Sequence, residues 1–186
     1  MSGLEASHQI ILKQLVETVF PRKPMSYRCY LLFPSGPGML RMRYCIGLDK
    51  EEKAILQSIS FCIGQGCQGT ALAEKKSSWM TIPLESSPEE LANMRSLPIN
   101  YARMLVKARV RSAAAYPFLD KSMSIAFVLA FESSLDVEEA GFDDKTLEEA
   151  VVNQGIVMAE FMPDVKDKVL RFNDEETVDF WKGPYV

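Results

Sequence analysis

The chain has 186 residues, 47% apolar and 25% charged, with 25 acidic against 21 basic side chains and a net charge of −4. This composition excludes disordered, collagenous and disulfide-dense classes, and a globular chain of this length buries about 70% of its unfolded surface. A net negative charge gives no general attraction to nucleic acid, and the longest apolar run, Ile125 to Phe131, is far too short for a membrane-spanning helix.

The N-terminal residues MSGLEASHQIILKQL have no basic stretch ahead of a continuous apolar one. No secretory signal is expected, and a cytoplasmic setting is. Cys29, Cys45, Cys62 and Cys67 are then expected to be reduced thiols rather than a disulfide framework.

Apolar residues at helical spacing from Leu4 to Phe20 predict a first helix, stopped by Pro21 and Pro24. YRCYLLF from Tyr27, the turn PSGPG and MLRMRYCIG to Gly47 predict a β-hairpin. In its second strand Leu40, Met42, Tyr44 and Ile46 alternate with Arg41, Arg43 and Cys45. LDKEEKAILQ reads as a short helix or loop, ISFCI as a brief strand, Gly66 to Lys76 as a helix and SSWMTIP as another short strand. A long connection runs from Leu84 to Val110. Within it Ser87, Pro88 and Glu90 stand at the positions of a capped helix start, and YARMLVKA forms a second helical piece.

Two paired strands come next, Ser112 to Leu119 and Met123 to Glu132, the second apolar enough to be covered on both faces. After an acidic loop, Asp143 or Asp144 caps a long helix, TLEEAVVNQGIVMAEFM, which Pro163 ends. The chain divides into a domain at 1–162 and an extension at 163–186 with aromatics at Phe172, Phe180, Trp181 and Tyr185.

This order, with MLRMRYCIGL, ISFCIGQGCQGTALAEKKSSWMTIP, SAAAYPFLDKSMSIAFVLAFES and GFDDKTLEEAVVNQGIVMAEF, resembles the GAF domain family from about Leu4 to Phe161. The resemblance implies an α+β fold: a central antiparallel sheet of five or six strands, terminal helices on one face and the long connection roofing the other. It also implies a small-molecule pocket beneath that roof and a homodimer through the terminal helices. Gly64, Gly66 and Gly69 then form a sharp strand-to-helix turn instead of a phosphate cradle, because hairpin signals precede them and not a parallel βαβ unit.

Pockets are apolar and aromatic with a few polar anchors, so Tyr44, Phe61, Trp79, Tyr101 and Tyr116 are the candidate lining, with Arg103 and Arg109 as anchors. The free methionine-(R)-sulfoxide reductases, a GAF subfamily, supply the alternative: thiol chemistry at Cys62 and Cys67. The chain departs from that subfamily in having Gln68 where a cysteine precedes the last glycine of the turn. His8 is the sole histidine, which leaves no Cys-His pair for a bilin and no imidazole for a triad or a histidine-rich metal site. The cyclic-nucleotide signature is absent as well. The reading is a sensory or regulatory module without a cofactor, with the extension as a candidate contact for a signalling protein.

Overall fold

The computed structural model describes residues 3–20 and 27–160. The strands are β1 (Tyr27–Gly36), β2 (Met39–Ile46), β3 (Phe61–Cys62), β4 (Ser78–Thr81), β5 (Ser112–Leu119) and β6 (Ile125–Ser133). The helices are α1 (Gly3–Val19), α2 (Lys50–Ser58), α3 (Gly66–Glu74), α4 (Pro88–Arg95), α5 (Ile99–Lys107), α6 (Val137–Ala140) and α7 (Lys145–Glu160). The strands form one sheet in the order β3-β2-β1-β6-β5-β4, and every neighbouring pair is antiparallel. The α+β architecture expected from the sequence is the one observed, with six strands.

Both faces of the sheet are buried, and strand alternation sorts the side chains between them. Cys29, Leu31 and Phe33 of β1, Phe127, Leu129 and Phe131 of β6, and Tyr116 and Phe118 of β5 pack with Leu12, Leu15 and Val16 of α1 and Val151 and Met158 of α7. Tyr30 and Leu32, Val128 and Ala130, and Ala113 and Ala115 point to the other face, where Leu56 of α2, Ala71 of α3, Leu91 of α4 and Tyr101 and Leu105 of α5 cover them. The long connection is therefore a helical roof. On the opposite face a glycine lets α7 approach: a Cβ at Gly155 would lie 2.2 Å from Cζ of Phe118, whose ring stacks on Phe127 at 4.5 Å.

Local chemistry explains the helix starts. The stretch LDKEEKAILQ, which its pattern allows as helix or loop, folds as α2, opened by a capping box in which Asp49 and Glu52 bond each other's backbone N–H at 2.8 and 2.9 Å. Ser87 and Glu90 build the second box, at α4, with Pro88 in the first turn. Asp144 is the residue that opens α7, its Oδ1 accepting from the Thr146 N–H at 2.8 Å. The acidic loop holds one further short helix, α6, capped by Asp136. The expected extension at 163–186 lies outside the described residues, as does the side chain of His8.

One register shift decides more than any single residue. In β2 Tyr44 pairs with Leu31 but Met42 pairs with Leu32, so Arg43 is an extra residue in the ladder. The bulge reverses the facing of the strand beyond it. Leu40 and Met42 lie under the roof, whereas Tyr44 and Ile46 pack on the terminal-helix side.

Candidate functional site

The glycine turn is a backbone device. Gly64 and Gly66 adopt φ of +80° and +58°, the left-handed region that other residues resist. At Gly69 a Cβ would sit 2.0 Å from the Cys62 carbonyl oxygen, so only glycine lets α3 fold back against β3. The turn delivers Cys67 and Gln68 into the interior, where both are buried.

Under the roof Gln68 joins a polar cluster centred on Glu132, which has no exposed surface. Glu132 Oε1 accepts from the Tyr101 hydroxyl at 2.6 Å and the Tyr30 hydroxyl at 3.0 Å. Gln68 Nε2 donates to the same two hydroxyl oxygens, at 2.7 Å to Tyr30 and 3.0 Å to Tyr101. Arg28, opposite Glu132 across the β1–β6 ladder, lies 2.5 Å from Glu132 Oε2 and 2.5 Å from Glu52 Oε1. Burial opposes the Arg28 charge, but the Glu132 and Glu52 carboxylates outweigh it and hold the guanidinium above its ordinary value. Burial, and then the charge of Glu132, pushes the Tyr30 and Tyr101 hydroxyls well up, so both stay protonated donors. The cluster ties the roof to the sheet, and its members fill the centre of the space between them.

The open volume on this side lies at its margin. A pocket of about 190 Å³ sits where α3, the edge strand β4 and the end of α4 meet, lined by Gly64, Gly66, Cys67, Thr70, Trp79 and Arg95 among others. The first turn of α3 has no acidic residue and no side-chain cap, since Gln65 Oε1 accepts instead from the Cys62 N–H at 2.9 Å. The first N–H groups of α3, those of Cys67 and Gln68, turn to the Cys67 sulfur, and the helix start carries a positive partial charge. Arg95 adds a full charge. Its Nη2 donates to the Thr81 carbonyl at 3.4 Å, while its buried Nε has no partner among the described residues.

The sequence candidates separate in space. Phe61 and Tyr101 are together under the roof, edge to face at 4.9 Å, and Trp79 is half exposed at the marginal pocket. Tyr44 and Tyr116 are corrections: both belong to the terminal-helix face, Tyr44 because of the bulge at Arg43 and Tyr116 because it alternates with Ala115. Arg103 is at the outer surface, paired with Glu89 at 3.4 Å, and Arg109 is exposed in the turn after α5 with φ of +53°. Neither arginine lines the roofed interior. Burial pushes the Cys67 thiol up, with the Glu132 charge second, so the group is a protonated small hydrophobe and not a reactive thiolate. Cys62 and Cys67 are both free.

Sequence reasoning missed Arg28, Tyr30, Gln68, Arg95 and Glu132. A signal was present for Glu132, an acid at the end of an apolar run in phase with Val128 and Ala130.

A six-stranded antiparallel sheet between two terminal helices and a helical roof, entered by a glycine turn, is the GAF fold. The chain therefore has a GAF-like fold. No family model matches it, and no curated protein matches it either. Among solved structures, a GAF domain region from Geobacter sulfurreducens PCA is similar at 13% identity and a TM-score of 0.50, over 82% of this chain and 96% of that one. A type II free methionine-R-sulfoxide reductase from Thermoplasma acidophilum matches at 14% identity and 0.49, over 85% and 96%. A mutated NreA protein from Staphylococcus aureus matches at 19% identity and 0.48, over 69% and 83%. At these identities the likeness concerns the fold alone. No helix of the described residues is long and apolar enough to cross a membrane.

Proposed function

We propose that the protein is a GAF-like regulatory module that binds a small ligand with an anionic end at the pocket between α3 and Arg95. The observation that carries this reading is the buried Arg95 Nε without a partner among the described residues, beside a helix start that no side chain caps. A carboxylate or oxyanion there meets a guanidinium beside the positive end of α3. The reading is non-catalytic, and the thiol reductase alternative is not favoured, because Cys67 is buried and protonated. Titrating a panel of small carboxylates and inorganic oxyanions while following thermal unfolding tests it. A ligand at a hundred times its Kd adds about 2.7 kcal/mol, on the order of 5 to 10 °C for a chain this size, and Arg95→Gln removes the shift. No shift across the panel, or an equal shift in Arg95→Gln, rejects the reading.

The signal would pass by association in the cytoplasm, through a homodimer formed by α1 and α7. Val157, 53% exposed on α7 beside Ile11 and Thr18, supports that surface. The expected mass at micromolar concentration in light scattering is that of a dimer, reduced to a monomer by Val157→Glu. A monomeric parent ends the dimer proposal. Residues 163–186 are the proposed contact for a downstream signalling protein.

A further inference from the structure

Away from the Arg95 pocket, a larger groove of about 710 Å³ lies between α1 and the ends of β1, β2 and β6. Its walls are largely apolar: Ile10 and Val16 from α1, Ile46 from β2 and Val110 from the end of the roof. Ile10 is 58% exposed there. The charges at its base, Arg28 and Glu132, are closed on each other, so what the groove offers an occupant is apolar surface.

The chain itself supplies an occupant. Residues 161–186 follow α7 and lie outside the described residues. Phe172, Phe180, Trp181 and Tyr185 put four aromatics into the last 15 positions, against 10% in the whole chain. Such side chains bury about 150–250 Å² each and need an apolar surface to do so. The segment starts close to the groove. Val157 and Met158, in the last turn of α7, share a hollow with Ile11 and Leu15 of α1, and Ile10 and Lys13 on the next face of the same helix wall the groove. Passing α1 takes about one helix diameter, 10–12 Å, and the residues from Glu160 to Phe172 extend up to about 40 Å. Asp174, Glu175, Glu176 and Asp179 stand between the aromatics. At the groove's rim Lys13, and Arg109 between the lining residues Ala108 and Val110, are exposed cations against the single acid Glu17 among the described residues, a balance that suits an acidic segment.

We propose that this groove is the docking site of the chain's own aromatic segment, residues 172–186. A downstream protein that contacts the extension then competes with the groove for it. Trp79→Phe leaves Trp181 as the sole tryptophan of the full chain, and acrylamide quenching reads its exposure. Tethering gives an effective concentration of about millimolar, so the segment is docked more than half of the time and quenching is at least about twofold weaker than in the groove variants Ile10→Glu and Ser134→Glu. Both positions are exposed and lie on different walls, so neither change opens the core. Val157→Glu, on the proposed dimer face, and Arg95→Gln leave Trp181 protected, so this test and those of the dimer and the anion pocket fail separately. Free quenching of Trp181 in the Trp79→Phe parent, or protection that survives either groove variant, overturns the proposal. Protection lost in Val157→Glu overturns it as well, by assigning the segment to a second copy.

Discussion

The Tyr116 hydroxyl is buried against the terminal helices with no hydrogen-bond partner among the described residues, and burial pushes its proton loss well up. A buried, unpaired hydroxyl costs on the order of 1–3 kcal/mol in lost hydration. Tyr116→Phe keeps the ring, which meets Phe131 edge to face at 5.9 Å, and removes the cost. The midpoint of urea unfolding is expected to hold or rise. A clear fall would mean that the hydroxyl has a partner in solution. At this scale the sequence is legible for backbone-limited positions: the glycines of the Phe61 to Pro83 stretch stand where φ or close approach demands them. It is mute on the partner of a polar side chain, because the hydroxyls and carboxylate of the Glu132 cluster come from strands and helices far apart in the chain.

Helix starts are written locally, and the Ser87 box at α4 is the clearest case. The Glu90 carboxylate is held below its ordinary value by the Ser87 backbone N–H first and the Ser87 hydroxyl second. The folded group therefore binds its proton less readily than the unfolded one. Its stabilising share is present above the ordinary carboxylate value and is lost as the pH falls through the lowered one. Ser87→Ala removes the hydroxyl and leaves the backbone donor. The expected outcome is a loss of about 1 kcal/mol, and a Glu90 titration by carbon-detected NMR that moves part of the way back up. An unmoved titration would assign the shift to the backbone donor alone. Strand facing is less secure than helix capping. The alternation from Leu40 to Ile46 reads as one continuous face, but the Arg43 bulge splits it, and no residue of β2 announces the extra position.

Across the whole molecule, the Arg28–Glu132 pair with Tyr101 is the link between sheet and roof. Glu132→Ala leaves the Arg28 charge half-compensated and two hydroxyls without their acceptor. A loss of about 3–5 kcal/mol is expected, together with faster amide hydrogen exchange in α5 than in α7. Uniform acceleration across the molecule would show that the cluster supports the fold generally and does not fasten the roof. By itself the sequence determined the element order, the antiparallel hairpins, the capped helices and the glycine turn, since each arises from interactions within a few residues. Only the tertiary structure decided which face each aromatic joins, that charged and hydroxyl groups fill the centre beneath the roof, and that open volume lies at the margins. Those outcomes depend on register and on pairing between residues as far apart as Arg28 and Glu132, which local pattern does not encode.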